Sequence, residues 1–339
     1  MKVTMNTIAK LAGVSVSTVS KILNNYNEVS EETKQKVLKI IQENGYQSSI
    51  SNKSAVSKNS NLIGVIYAGK INAEFNHLFF IDVINAFKKR IGLLGYDLIF
   101  FSNEKFHHSG EDYLTRCKHF SVDGCILISG DELEPCITDL DHSDIPCIGI
   151  DLELTGPNSG YIMTDNAKMA YKVVEHFYLQ GYKEVGFLGT HSLISKLREN
   201  CLIQAMQNFG LSVNKDWFKY GSDFFETSGF VAMREMMTQG HLPRALFAAS
   251  DQLAIGAMRA LKEKRLAIPG DIAIIGCDDI EACKYMDPPL STIRQDKEKI
   301  GLLAALMLFD LMKHQLQSSS IMVEPELMIR RTSSTESFQ

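Results

Sequence analysis

The sequence lacks the features that mark membrane, secreted and metal-binding proteins. No apolar run approaches the eighteen or so residues that a membrane span needs, and the start, MKVTMNTIAK, lacks the apolar middle of a secretory signal. The seven cysteines show no C-x-x-C metal or redox spacing. They are Cys117, Cys125, Cys136, Cys147, Cys201, Cys277 and Cys283. We therefore expect a cytoplasmic protein with reduced, buried thiols, no membrane partner and no metal or cofactor.

Enzyme signatures and an even distribution of charge are also missing. There is no G-x-S-x-G, H-E-x-x-H, phosphate-loop or dinucleotide fingerprint, so no catalytic residue is assigned and no enzyme is expected.

Residues 1–58 contain no arginine, and their eight lysines against four acids give +4, whereas the whole chain carries −5. A basic head on an acidic body indicates a head that meets a polyanion. A solvated surface accounts for the charge nearly as well.

The order of apolar and polar segments predicts the fold class. Residues 47–60, QSSISNKSAVSKNS, are serine-rich and typical of a linker. Behind them, short apolar runs alternate with stretches of helical periodicity such as 79–94 and 253–264. The runs cover residues 62–68, 97–102, 124–129, 146–152, 184–190, 244–250 and 272–279. Strands this apolar must be covered on both faces, so we expect an α/β body of two doubly wound parallel sheets.

Polar residues follow several of these predicted strands. Asp151 follows IGI, Ser250 and Asp251 follow LFAA, and Asp278 and Asp279 follow IIGC. Ligands of open parallel sheets bind beyond the carboxyl ends of the strands, so these residues predict a small-molecule pocket. Each of them taken singly could equally be a helix N-cap or a turn former.

The first 45 residues predict three helices. Ile8, Leu11 and Ala12 follow helical spacing, and Gly13 is a good stop. Ser15 is a good N-cap for a second helix, whose other face carries Ser17, Ser20 and Lys21, and a third helix is expected over 31–43. Two short helices joined by a glycine turn have the proportions of a helix-turn-helix, whose second helix enters the DNA major groove. The absence of carboxylates from the second helix suits a surface placed between rows of phosphates.

These segments resemble the lactose/galactose repressor family of bacterial regulators over nearly the whole chain. The resemblance is carried by VTMNTIAKLAGVSVSTVSKILNN, VSEETKQKVLKIIQENGY, NLIGVIYA, HLFF, VDGCILIS, HFYLQGYKEVGFLG, ASDQLAIGAMRALKEKRLAIPGDIAIIGCDDI and DPPLSTIRQD. It implies an all-α helix-turn-helix head, a body like the two-lobed periplasmic sugar-binding proteins, and a homodimer. The expected domains are a head at 1–46, a linker at 47–60, a body at 61–332 and a tail at 333–339. Within the body, the N-lobe would hold 61–160 and 291–320, and the C-lobe 161–290 and 321–332.

The resemblance also assigns residues to double-stranded operator DNA. Val16, Ser17 and Lys21 match positions that face bases, whereas Ser15, Thr18 and Asn24 match positions that hold the backbone. Lys21 stands where arginine is usual, which weakens bidentate reading of guanine. Ala55 stands where a leucine wedges into the minor groove, and alanine fills little of that gap, so we expect less operator bending or a wedge from Val56.

Effector contacts carry over in the same way. The matching positions are Asp151, Arg198, Phe224, Ser250 and Asp278, with Phe79 as a second apolar wall and Asp251 beside them. The leading hypothesis is a repressor whose operator affinity is controlled by a small sugar between the lobes. The alternatives are a purine-type corepressor, a phosphorylated carrier protein on the body's surface, and a sugar-binding protein without DNA. The absence of lysine and arginine from 300–312 argues against a phosphoprotein there.

Overall fold

A computed structural model describes residues 4–23, 29–44, 60–67, 77–101, 112–128 and 135–334. The chain separates into two compact units, Met1–Ser60 and Asn61–Gln339, which we call the head and the body. Most of the expected linker lies outside the described residues, and so do Asn24, Ala55 and Val56.

The head contains the three predicted helices, α1 (Met5–Ala12), α2 (Val16–Leu23) and α3 (Glu31–Glu43). The Thr4 side chain begins α1 by accepting a hydrogen bond from the Thr7 amide. Gly13 ends it with φ 68°, a left-handed conformation that costs a residue without Cβ little. The three helices bury one small apolar core, made of Ile8, Ala9, Ala12, Val19, Ile22 and Val37.

The N-lobe of the body is a parallel sheet covered on both faces. Its strands are β1 (Leu62–Tyr67), β2 (Asp97–Phe100), β3 (Gly124–Ile128), β4 (Cys147–Ile150), β5 (Ser159–Thr164) and β11 (Ser319–Val323), and its helices are α4 (Leu78–Leu93), α5 (Tyr113–Phe120), α6 (Pro135–Asp141) and α11 (Lys297–Met312). The strand order is β11-β5-β4-β3-β1-β2. Ile126 and Ile128 pack with α4 and α11, whereas Cys125 and Leu127 pack with α5 and α6. This alternation explains why β3 is apolar at every position.

The C-lobe repeats the architecture with one reversed edge strand. Its strands are β6 (Val185–Thr190), β7 (Phe218–Gly221), β8 (Ala245–Ala248), β9 (Ala273–Cys277), β10 (Ser291–Arg294) and β12 (Glu326–Met328), and its helices are α7 (Asn166–Leu179), α8 (Leu193–Asn208), α9 (Glu226–Met237) and α10 (Asp251–Glu263). The order is β12-β10-β9-β8-β6-β7, and β12 runs antiparallel to β10. The doubly wound, two-lobed fold predicted from the sequence is confirmed.

The chain crosses between the lobes three times, after β5, after β10 and after β11. These crossings lie a few residues beyond the expected lobe boundaries at 160, 290 and 320, because each strand completes its pairing before the chain leaves the sheet. The packed body also continues into the segment expected as a tail. Ser333 is buried, and its hydroxyl lies 3.0 Å from His176 Nε2 and 2.8 Å from the Ser291 hydroxyl.

All seven predicted strands are present, and the described residues contain five more that were not predicted. These are β5, β7, β10, β11 and β12. β7, β11 and β12 have partly buried or exposed positions, as in β11, where alternate side chains are exposed, whereas β5 and β10 are mostly buried but contain polar residues. Without continuous apolar runs, neighbouring strands decide their conformation. The seven cysteines are free thiols, five of them buried.

Candidate functional site

Helix α2 presents a polar, exposed face opposite the head's core. Val16, Ser17 and Lys21 are exposed, whereas Val19 and Ile22 are buried. Ser15 Oγ accepts a hydrogen bond from the Thr18 amide at 3.0 Å and lies 2.8 Å from Thr18 Oγ1. Ser15 therefore caps α2, and no acidic side chain occurs along the helix.

Arg198 is the centre of a buried polar cluster between the lobes. This side chain of α8 donates from Nη1 to the Ala249 carbonyl at 2.6 Å and from Nε to Asn166 Oδ1 at 3.3 Å. Its Nη2 lies 3.4 Å from Gln295 Oε1 and 3.5 Å from Asp151 Oδ2. Four segments of the body therefore meet at one guanidinium, whose rigid fork suits several acceptors at once.

Gln295 joins this cluster to two of the crossings. Its Oε1 accepts from Thr164 Oγ1 at 2.6 Å, and its Nε2 donates to Asp278 Oδ1 at 2.7 Å. Thr164 ends β5, and Gln295 follows β10, so both stand where the chain passes between lobes. The sequence analysis did not single out Gln295, although it lies in the motif DPPLSTIRQD.

Asp151 carries an unsatisfied oxygen in this buried environment. The residue follows β4 with φ 51°, and a Cβ at Gly149 would lie 2.1 Å from the Leu152 carbonyl oxygen, so only glycine allows this tight turn. Burial raises the pKa of Asp151, and the Arg198 charge opposes that rise. Its Oδ1 is buried without a hydrogen-bond partner among the described residues. A buried acceptor in this state is unusual and suits a ligand that donates a hydrogen.

Asp278 stands at the end of β9 on the C-lobe side. Its φ of 120° is rare for a residue with a Cβ, and such strain is common at functional sites. Burial raises its pKa, and the nearby Asp251 carboxylate raises it further. The adjacent Asp279 accepts from Arg294 Nε at 2.8 Å and from Arg330 Nη2 at 2.6 Å, which holds the strained segment in place.

Aromatic rings from the two lobes meet beside the polar cluster. Phe224 of the C-lobe has its ring centroid 5.8 Å from that of His77, which precedes α4 in the N-lobe. His77 also lies 4.7 Å from Phe80 and 6.4 Å from Phe79 and from Phe225. Sequence reasoning missed His77 and Phe80; their proximity to Phe79 in the motif HLFF was the available signal.

Three predicted effector residues have their side chains engaged within the protein. Ser250 caps α10 through the Leu253 amide and donates to the Phe224 carbonyl at 2.9 Å. Asp251 is fully buried, and its oxygens accept from the Ile280 amide and the Thr292 hydroxyl. Phe79 packs into the N-lobe core. Asp151 lies beside Arg198, Asp278 is linked to Arg198 through Gln295, and the Phe224 ring meets His77. Arg198 and Asp278 also have protein partners, so Asp151 is the effector candidate with an unpaired oxygen among the described residues.

A cavity of about 480 Å³ adjoins Asp151 between the lobes. The N-lobe contributes α6, Met163 and residues 151–155, and the C-lobe contributes residues of the first turns of α8, including Ile194 and Leu197. The volume is in the range of small-molecule sites. Among the described residues, no group of three or more His, Cys, Asp or Glu side chains is placed to hold a metal ion. No helix in that part of the chain is long and apolar enough to cross a membrane.

Comparison with known proteins agrees with both units. Residues 4–49 match the family model for bacterial regulatory proteins of the lacI family, and residues 174–333 match a periplasmic binding protein-like domain. The HTH-type transcriptional repressor PurR of Actinobacillus pleuropneumoniae serotype 3 (strain JL03) is 30% identical over 334 residues, which are 97% of this chain and 98% of that protein.

Two solved structures have the same fold. The lac repressor dimer bound to operator and the anti-inducer ONPF has a TM-score of 0.74 and 25% identity, covering 98% of this chain and 99% of that one. The complex of the transcriptional regulator CelR with cellobiose has a TM-score of 0.73 and 23% identity, covering 97% and 99%. The chain therefore belongs to the lacI family of bacterial regulatory proteins and is a DNA-binding transcriptional repressor.

Proposed function

We propose that the body binds a purine-type corepressor between its lobes and that this binding raises the affinity of the head for operator DNA. The observation that carries the proposal is that the rings of Phe80 and Phe224, from opposite lobes, both contact the imidazole ring of His77 beside the buried Arg198 cluster. The Phe224 ring meets the imidazole edge to face, with an interplanar angle of 82°, and the Phe80 ring is tilted by 43°. Aromatic rings bind flat heterocycles in stacked and edge-to-face arrangements. The unpaired Asp151 Oδ1 is the kind of acceptor that a nucleobase N–H requires.

The same contacts are less suited to the sugar of our leading hypothesis. A sugar needs a polar partner for most of its hydroxyl groups, and unpaired polar groups on either side cost affinity. The hydroxyl of Ser250 and both carboxylate oxygens of Asp251 already bond within the protein. Relatives named PurR that span nearly the whole chain also support the purine class.

The first experiment compares ligand classes on the same protein. We expect adenine, guanine or hypoxanthine to raise the melting temperature, because a ligand that binds only the folded state stabilises it. Operator affinity, measured by fluorescence anisotropy, should then rise about 5- to 150-fold with the active base. Ribose and cellobiose serve as comparison ligands. A shift with a sugar alone would reject the purine class, and weaker operator binding with the base would reject corepression.

The effector contacts are tested separately. Replacing Phe224 with leucine keeps an apolar side chain but removes the flat face, so base affinity should fall about tenfold or more. Replacing Phe230, a half-buried residue of α9 whose ring contacts Arg234 and Arg259, with leucine is the matched control and should leave affinity unchanged. Equal affinities in all three proteins, determined by calorimetry, would remove Phe224 from the site.

We also propose that the exposed face of α2 reads the operator through Val16, Ser17 and Lys21. Ser15 and Thr18 would position the backbone, with Asn24, Ala55 and Val56 as further contacts implied by the resemblance. Lys21→Ala should weaken operator binding and relax the sequence preference at the base that it faces. Lys36→Ala, on the third helix, is the control. Unchanged affinity and sequence preference in Lys21→Ala would contradict this assignment.

We further propose that the protein acts as a homodimer, because two linked heads gain affinity through effective concentration. The lac repressor dimer bound to operator supports this assembly. Analytical ultracentrifugation should give twice the chain mass of 37.9 kDa. A monomer at micromolar concentration, with or without operator, would contradict it.

A further inference from the structure

His77 stands at the N-cap position of α4 but makes no side-chain capping hydrogen bond within the described part of the chain. Its ring instead lies among four phenylalanine rings, two from each lobe. The nearest N-lobe ring is Phe80 at 4.7 Å, and the nearer C-lobe ring is Phe224 at 5.8 Å. The imidazole therefore connects the lobes where the proposed effector would lie, and helix capping does not explain its position.

The chemical state of this ring is that of a neutral heterocycle. Burial, with a smaller contribution from the positive charge of Arg198, lowers the pKa of His77 to about 4. Near pH 7 one ring nitrogen carries a hydrogen and the other is an acceptor. The buried Nδ1 has no hydrogen-bond partner among the described residues. A neutral imidazole is planar, aromatic and bears both kinds of nitrogen, and the five-membered ring of a purine shares these properties.

The four rings around His77, those of Phe79, Phe80, Phe224 and Phe225, form what we call the effector cage. We propose that His77 is an internal occupant of this cage, which a planar nitrogen heterocycle must displace in order to bind. The identity of the heterocycle rests on the proposed function. The position of His77 among the four rings rests on the structure alone. Displacement exchanges one set of ring contacts for another. Effector affinity in the wild type is therefore lower than the cage itself would allow.

The test uses the full-length protein and a probe that matches the removed side chain. His77→Ala empties an imidazole-sized space, and an apolar-walled cavity of this kind can bind a matching small molecule. We expect imidazole at millimolar concentration to raise the melting temperature of His77→Ala and to leave the wild type unchanged. His241→Ala, which removes an exposed histidine of the C-lobe, is the matched control and should not respond.

A second variant separates an occupant from a ligand contact. His77→Phe keeps a planar ring but no nitrogen, so it should still fill the cage, bind nucleobases no better than the wild type, and ignore imidazole. His77→Ala should bind the active nucleobase about tenfold more tightly than the wild type, as measured by calorimetry. If the histidine instead contacts the ligand through nitrogen, both variants would bind the base more weakly, which would overturn the proposal.

The imidazole experiment keeps this inference distinct from the choice of effector. Imidazole stabilisation of His77→Ala without binding of any nucleobase would support the internal occupant and reject the purine class. A folded His77→Ala protein that gains no stability from imidazole would overturn the internal occupant, whatever the nucleobases do. If His77→Ala does not fold, His77→Gly and His77→Ser create the same space and are tested with the same outcomes.

Discussion

The two lobes share a sheet topology but offer different chemistry to the space between them. On the C-lobe side, Arg198 and Asp278 have their polar groups bonded to protein partners. On the N-lobe side, His77 Nδ1 and Asp151 Oδ1 are buried without hydrogen-bond partners in the described part of the chain. The C-lobe therefore supplies a preorganised wall, whereas the unpaired hydrogen-bonding groups of this space belong to the N-lobe. A ligand would satisfy the N-lobe groups against a surface that is already rigid.

The largest expected effect comes from breaking the preorganised side. Arg198→Met removes the donor shared by Ala249, Asn166 and Gln295 and leaves the buried Asp151 carboxylate without its cation. Loss of one partner from a buried pair typically costs about 3–5 kcal/mol. Urea unfolding should show this loss. Arg259→Met, which breaks a partly exposed pair with Glu226 and a contact with the Phe230 ring, should cost about 1 kcal/mol. Equal losses in the two variants would contradict the central role of Arg198.

The next effect sharpens the N-lobe side through pH. The folded pKa of His77 is about 4 against 6.5 when exposed, so the unfolded chain takes up a proton first as pH falls below 6.5. The free energy of unfolding should therefore decrease between about pH 6.5 and about pH 4, by roughly 2–3 kcal/mol from this residue. His77→Phe should lack that part of the decrease. Urea titrations of both proteins near pH 7 and near pH 4.5 measure the difference, and parallel pH profiles would refute the assignment.

The smallest effect tests the connection between the lobes. Thr164→Val removes the hydroxyl that donates to Gln295 and keeps the shape of the side chain. One buried hydrogen bond contributes about 1 kcal/mol, and Gln295 Oε1 keeps its bond from Arg198 Nη2, so the loss should stay near that value. Thr227→Val, at an exposed position of α9, should change stability by less than about 0.5 kcal/mol. Both losses are measured by chemical denaturation. A loss in Thr164→Val no larger than that in Thr227→Val would show that Thr164 contributes nothing to this connection.

Much of the fold and part of the site followed from local signals. Gly13 and Ser15 predicted the turn and the second helix of the head, because a left-handed stop and a hydroxyl cap act over a few residues. Apolar runs predicted the central strands, and polar residues at their ends predicted Asp151 and Asp278. Ser250 and Asp251 carry the same signal, yet their side chains cap a helix and fasten neighbouring strands. A strand end identifies the edge of the sheet, but not the direction of each side chain.

The sequence by itself determined the classes of structure: a small helical head without acids on its second helix, and two apolar parallel sheets whose strands end in polar residues. Periodicity and capping suffice for this because they depend on near neighbours in the chain. Only the tertiary structure decided that Gln295 joins Thr164 to Asp278 and that His77 lies between rings of both lobes. Those contacts join residues that are remote in sequence, and burial then sets which of their polar groups are satisfied.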